Sequence, residues 1–430
     1  MLNFKVANGG NPLVVEEFYL SNGMQVIVIP NDRIPAVSHM VWYKIGAADE
    51  PTGKSGIAHV LEHLMFKATK TMATGEFSKI VERNGGQMNA FTSSNYTAYY
   101  QKIASDKLEL VMQLESDRMR NLVFNNEEFE KEKLVVLEER RMRTENSPAA
   151  LLGEQLNAML YLNHHYGIPV IGWEHEVDGL TRGDVIDFYN KYYQPKNAVL
   201  IVEGDADKKT VQNLAEKYYG SIKSADIAVR NRPSEPPHIA ERRVILKHPN
   251  VRQPSLVKKY LAPSQTSREH SEYAYPLLIA SQILGGGNTS RLYQELVVKQ
   301  KLATSVSVYY SDTSMDISSF SIYASPAPDV TLEVLEGALS EYISSLLNGN
   351  IEDEELKRAK NLMKSEAIYA REGLGSMANL YGVMITTGVG TDYLTNWERN
   401  IDAVNADIIA VAMHYVFQDE KLATGYLLGK

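Results

Sequence analysis

The sequence predicts an α+β protein built from two homologous α/β sandwiches. Each is a mixed, mainly antiparallel sheet covered by helices, and the two are related by internal duplication. Three observations predict this. The chain has 430 residues, room for two large domains. A proline-rich stretch near its middle, Arg230-Asn231-Arg232-Pro233-Ser234-Glu235-Pro236-Pro237, stops helix and central strand alike. The segments on either side of it repeat the same succession of strand-like and helix-like patterns. The expected layout is a first domain at 1–229, a linker at 230–240 and a second domain at 241–430.

In the first half, residues 25–29 and 35–43 read as strands and 57–66 as an apolar helix. Residues 95–101 form an aromatic-rich strand, and 127–142 a helix that runs from acidic to basic. Residues 197–205 read as a buried strand ended by a turn. The second half echoes this with strands at 244–246, 254–257 and 305–310, an apolar helix at 273–284 and an acidic-then-basic helix at 352–365. Two uncharged stretches, 273–290 and 373–391, contain too much glycine and too many polar residues to be the run of about 20 apolar residues that spans a bilayer. They read as loops or buried packing segments, and an integral membrane protein is not expected. The first ten residues show no basic region followed by an apolar run, so no signal peptide is expected. Bacterial cytoplasm and periplasm both stay open.

Composition narrows the chemistry. The hydrophobic share of 44% and the charged share of 23% are those of an ordinary globular protein. With no cysteine, thiol catalysis, thiolate-held zinc and iron–sulfur clusters are excluded. A net charge of -9 provides no general field for nucleic acid. Gly53-Lys54-Ser55 resembles the end of a phosphate-binding loop, but the position five residues before Gly53 is Ala48 rather than glycine. No Gly-x-Ser-x-Gly occurs.

The sharpest feature is His59-Val60-Leu61-Glu62-His63, set among Ile57, Ala58, Leu64, Met65 and Phe66. At about 100° per residue, its three ionisable side chains share one stripe of an otherwise apolar helix. Histidines at i and i+4 bring both imidazoles over one point, suiting a tetrahedral zinc ion. Glu62 can then lie beside the metal's water as a general base. The plain alternative is a core histidine pair satisfied by a neighbouring acid. In the helix at 127–142, Glu132 and Glu139 lie seven residues apart on one face, with Val135 and Val136 between them. Two carboxylates on an apolar stripe ask for a cation. Glu139 is the expected third ligand, and Glu132 the expected hydrogen-bond partner of a ligating histidine. Glu138 points elsewhere. The alternative is an ordinary charged face with pairs at i and i+4.

With these residues the sequence resembles the pitrilysin/insulysin family of zinc peptidases, which carry the inverted zinc motif. It looks closest to the branch of mitochondrial processing peptidase and its short bacterial relatives, over nearly the whole chain. His59, Glu62 and His63 match the metal motif, Glu139 the third ligand, and Glu132 the additional glutamate seven residues before it. Gly85-Gly86-Gln87-Met88-Asn89-Ala90-Phe91-Thr92-Ser93 is similar to the substrate-strand motif. So are residues 165–172 and 188–198 to later landmarks, and residues 285–291 to a loop expected to line the chamber. The resemblance implies two α+β domains around a chamber, one zinc per chain, and an extended peptide pairing with an edge strand at Asn89, Ala90, Phe91 and Thr92. The simpler reading of that segment is a hairpin turning at Gly85-Gly86.

Two departures matter. Asn95 stands where relatives often have an acid. Val297 and Thr304 occupy the places of an Arg and a Tyr that reach substrate in active members. The resemblance therefore implies the metal-bearing subunit of a heterodimer with a homologous chain carrying that pair. A self-sufficient homodimer and a non-catalytic, peptide-binding scaffold are the alternatives.

Overall fold

A computed structural model describes residues 3–6, 13–227 and 229–430. The chain forms two compact units, and neither is a contiguous stretch. Unit 1 comprises Met1–Arg140, Ile168–Arg232 and Ile368–Thr395; unit 2 comprises Arg141–Gly167, Pro233–Ala367 and Asn396–Lys430. One break falls inside the proline-rich segment, but the units differ from the expected stretches 1–229 and 241–430. Each recruits a helix from the other half of the sequence.

In chain order the strands of the two large sheets are β1 (Asn3–Val6), β2 (Leu13–Tyr19), β3 (Gln25–Pro30), β4 (Ala36–Tyr43), β5 (Gln87–Thr92), β6 (Thr97–Ala104), β7 (Ala198–Gly204), β8 (Arg242–Lys247), β9 (Ser255–Ala262), β10 (Ala303–Tyr310), β11 (Ser318–Pro326) and β12 (Leu422–Leu428). The helices used below are α1 (Ile57–Leu64), α2 (Leu108–Asn121), α3 (Asn126–Arg140), α4 (Pro148–Leu160), α5 (Ala274–Gly285), α6 (Asp353–Tyr369) and α7 (Ser376–Thr387). Unit 1 holds a seven-stranded sheet in the order β1-β2-β3-β7-β4-β6-β5, and unit 2 a five-stranded sheet in the order β8-β12-β9-β11-β10. In each, one pair is parallel (β3 with β7, β8 with β12) and the others are antiparallel. Leaving aside β1 and β2, the two sheets have the same strand order and sense. This is the mixed, mainly antiparallel sheet repeated by duplication that the sequence predicts.

Alternation along the strands of unit 1 supplies two apolar faces. Val26, Val28, Val41, Tyr43, Tyr99, Leu200 and Val202 join the core containing Ile57, Val60, Leu61 and Leu64 of α1 and Val136 of α3. Ile27, Ile29, Met40, Trp42, Val199 and Ile201 lie on the other face with Met377, Ala378, Tyr381 and Met384 of α7. Burial on both faces explains why β7 reads Ala-Val-Leu-Ile-Val with no alternation. The α7 helix lies flat on the Trp42 indole because residue 382 is glycine; a Cβ there would fall 2.1 Å from a ring carbon. Glu203, buried at the end of β7, accepts the Ala378 N–H at 2.8 Å and so caps the helix start.

Unit 2 repeats the scheme. Leu256, Tyr260, Phe320, Ile322 and Tyr426 face Leu277, Ile279 and Ile283 of α5, while Val257, Leu261, Ala423 and Leu427 face Leu152, Leu156 and Leu160 of α4. The two uncharged stretches thus become the packing helices α5 and α7, and among the described residues no helix is long and apolar enough to cross a membrane.

Candidate metal centre

The α1 helix begins at Gly56, whose φ of +86° suits glycine. Glycine offers no side-chain cap, and the Glu50 carboxylate takes that role, accepting the Gly56 and Ala58 N–H groups at 2.8 Å each. Burial pushes the Glu50 carboxyl well above the usual range, against those two hydrogen bonds. Gly172, also left-handed at φ +85°, packs against the same turn; a Cβ on it would lie 2.7 Å from the Gly56 Cα. Ile57, Ala58, Val60, Leu61 and Leu64 are all at most 2% exposed, so α1 is fixed on every side except the one bearing His63.

The second wall is α3. Phe129 and Val136 anchor it in the core, Lys133 Nζ donates to the Asp178 carbonyl at 2.9 Å, and Arg140 Nη1 donates to that of Gly172 at 2.8 Å. Only one of the two valines expected on the carboxylate stripe is inside: Val136 is 0% exposed and Val135 50%. Residue 135 lies on the outer flank of the stripe, where nothing in the sequence pattern distinguishes it from its neighbour. Glu138 is exposed, as its spacing suggests.

The two helices bring together His59, His63 and Glu139. His63 Nε2 lies 3.2 Å and His59 Nε2 3.8 Å from Glu139 Oε2. One ligand atom from each residue lies within 4.8 Å of the other two, and among the described residues no other group of three His, Asp or Glu does so. A tetrahedral ion with ligands at about 2.0–2.1 Å spaces them about 3.4 Å apart. The two contacts bracket that edge, and two imidazoles with one carboxylate are a donor set zinc accepts.

Glu132 stands behind His63, with Oε1 3.0 Å from Nδ1. Its other oxygen meets the Lys67 ammonium. The carboxylate holds the proton on Nδ1 and turns the Nε2 lone pair toward Glu139. In the metal-free protein, burial disfavours the His63 cation, but the Glu132 hydrogen bond and the charges of Glu139, Glu62 and Glu132 outweigh it and raise the pKa. Burial likewise opposes ionisation of Glu132, and His63 and Lys67 outweigh it and lower that pKa.

Glu62 is 8% exposed, and its Oε2 accepts the Thr92 hydroxyl at 2.5 Å. Thr92 ends β5, the edge strand, which among the described residues pairs only with β6. The side chains of the strand diverge. Met88 and Ala90 pack on the α1 face, whereas the Phe91 ring contacts Trp42 on the opposite face at 5.2 Å. Asn89 is exposed and accepts its neighbour's N–H. Of Asn89, Ala90, Phe91 and Thr92, only Thr92 reaches the acidic site with its side chain; the other three could serve an extended ligand through their backbone. The hairpin bends at residues 93–96, not at Gly85-Gly86, which instead links a preceding helix to β5. Asn95 Oδ1 accepts Arg232 Nη1 at 2.7 Å, and Arg232 also grips Asp49 at 2.8 and 2.9 Å. Arg232, expected in a linker, is therefore buried. In unit 2, Val297 is half-buried and Thr304 is exposed on β10.

Sequence reasoning missed Glu50, Lys67 and the side-chain role of Thr92. Lys67 follows His63 by four residues, a spacing that could have drawn notice. The other two depend on contacts between distant segments.

Residues 26–173 match the family model described as insulinase (peptidase family M16), and residues 179–363 match that described as the peptidase M16 inactive domain. The chain belongs to peptidase family M16. The zinc protease PqqE of Helicobacter pylori is 33% identical over 416 residues, 96% of this chain and 92% of that protein. A crystal structure of a protease from Helicobacter pylori has a TM-score of 0.89 at 31% identity, covering 99% of this chain and 100% of that one. The uncharacterized zinc protease YmxG of Bacillus subtilis is 27% identical over 380 residues, 86% of this chain and 87% of that one. At 17% identity, a peptidase M16 inactive domain from Pseudomonas fluorescens shares the fold, with a TM-score of 0.84 over 97% of this chain and 98% of that one. The family resemblance and the fold class read from the sequence are both borne out.

Proposed function

We propose that this chain is a zinc-dependent endopeptidase acting on unfolded peptides, and the catalytic subunit of a heterodimer. The observation that carries this reading is the convergence of His59, His63 and Glu139, with Glu62 close by but outside the ligand set. His59, His63 and Glu139 would hold the ion. Zinc bound there supplies acidity to a water molecule and polarises the scissile carbonyl. Glu62, hydrogen-bonded to Thr92, takes the proton of the attacking water and returns it to the departing amine nitrogen. Glu132 keeps His63 in the tautomer whose Nε2 can ligate. The free edge of β5 offers backbone groups to an extended peptide, which a folded protein cannot present.

A non-catalytic scaffold has no need of a general base, which favours the enzymatic reading. Val297 and Thr304 provide neither a guanidinium nor a phenol for a developing oxyanion, so a homologous partner would supply those donors.

The test is metal analysis with peptide hydrolysis, on the chain alone and co-expressed with a neighbouring homologue. Wild type should hold one zinc, Glu62→Gln should keep it and lose turnover, and His63→Ala should lose the metal. Equal turnover in Glu62→Gln refutes the base assignment. Full activity of the isolated monomer refutes the heterodimer, and absence of zinc from both preparations favours the scaffold.

A further inference from the structure

We propose that Thr92 is a positioning residue whose hydroxyl fixes the orientation of the Glu62 carboxylate, so that the strand offered to substrate also aims the base. This deepens the reading above and rests on it.

Glu62 is buried, and its carboxylate has two oxygens. The Thr92 hydroxyl donates to one of them, Oε2, at 2.5 Å. A glutamate on a helix has three side-chain torsions, and a fixed donor removes most of their freedom.

Thr92 is such a donor because its backbone is held from several directions. It pairs with Thr97 at the end of the β5–β6 ladder, and the Thr97 hydroxyl is bonded to the Ile45 carbonyl at 3.1 Å. The hairpin beyond it closes with Ser93 N–H on the Tyr96 carbonyl at 2.8 Å. The carbonyls of Ser93 and Ser94 accept the N–H groups of Ala47 and Ala48 at 2.9 Å each. Three residues after Ala47 comes Glu50, which caps α1. One short loop therefore grips both the strand carrying the hydroxyl and the helix carrying the base. The arrangement also explains why threonine suits the last α1-facing position of β5: the preceding ones, Met88 and Ala90, only fill space.

The test compares Thr92→Val, which keeps shape and strand preference but loses the donor, with Thr92→Ser, which restores it. Steady-state peptide hydrolysis is measured in whichever preparation, the chain alone or with its homologue, turns over. In Thr92→Val, kcat should fall about 10- to 100-fold, the scale of a misplaced reacting group. KM and zinc content should stay within about twofold, and Thr92→Ser should recover most of the loss. Wild-type kcat in Thr92→Val, failure of serine to rescue, or loss of kcat only in step with zinc overturns the proposal. If no preparation of the wild type hydrolyses peptide, the peptidase reading falls, and the positioning claim is decided by melting. Thr92→Val and Glu62→Ala should then shift the melting temperature of the chain non-additively. Additive shifts overturn the hydroxyl–carboxylate link itself.

Discussion

Replacing Glu132 by Gln tests how the chain prepares His63 for a metal. Both Glu132 oxygens are acceptors, Oε1 facing His63 Nδ1 at 3.0 Å and Oε2 facing the Lys67 ammonium. An amide has one acceptor oxygen, so its NH2 must confront either the imidazole N–H or the ammonium, both of them donors. The substitution also replaces a charge-assisted hydrogen bond, about twice as strong as a neutral one, with at best a neutral one. Glu132 has a side-chain exposure of 12% and His63 of 21%, so solvent recovers only part of the loss. Hydrogen bonds to charged groups contribute about 1.5–3 kcal/mol. Discounted for exposure, the lower half of that range corresponds to a roughly 10- to 45-fold weaker zinc affinity, within the 10- to 100-fold typical of such partners. The assay is competition with a fluorescent chelator on stripped protein at pH 8. At pH 6 the ratio between variant and wild type should shrink, because Glu132 also helps hold the competing proton on His63. Wild-type affinity at pH 8, or a ratio that grows at pH 6, refutes the reasoning.

The same pair sets a pH window for the metal-free protein. Its Glu132 contribution is present above the unfolded pKa near 4.5 and lost as pH falls through the lowered folded value; its His63 contribution is present below 6.5 and lost as pH rises through the raised one. Urea midpoints of stripped protein should therefore benefit from this pair most between those limits, and zinc loading should abolish the alkaline-side decline. Gly382→Ala gains about 1 kcal/mol of helix propensity but drives a Cβ to 2.1 Å from the Trp42 ring. Overpacking costs typically about 1–3 kcal/mol and more for so deep an overlap, so the urea midpoint should fall, and a rise would contradict the packing. Gly172→Ala adds about 1–2 kcal/mol of left-handed strain and presses on Gly56 at the start of α1. It should weaken both stability and zinc retention; loss of stability with zinc affinity intact would separate that contact from the metal site.

The residues of the candidate metal site were legible because their relation is local. His59, Glu62 and His63 lie within two helical turns, and Glu132 and Glu139 share a helix face by spacing alone. The family resemblance then joined the two helices, which spacing could not. What escaped notice came from register. Thr92 reaches Glu62 only because β5 ends opposite Thr97 with its even-numbered side chains toward α1. Glu50 caps α1 across an irregular turn with no propensity signature. The compact units take in α4 and α7 from across the expected boundary for a related reason: an apolar helix face shows that it will be covered, not which sheet will cover it.

That reciprocal loan of helices has a consequence for how the protein comes into being. On the ribosome, all seven strands of the first sheet have been synthesised by Gly204, yet the layer over Trp42, Met40 and Ile201 arrives only with Ser376–Thr387, about 170 residues later. For that interval the nascent chain carries an uncovered apolar sheet face, the kind of surface that invites chaperone binding or aggregation. Maturation of the unit with the candidate metal site is thereby tied to synthesis of Ser376–Thr387: a polypeptide truncated after the proline-rich segment would carry His59, Glu62, His63 and Glu139 on an unfinished scaffold.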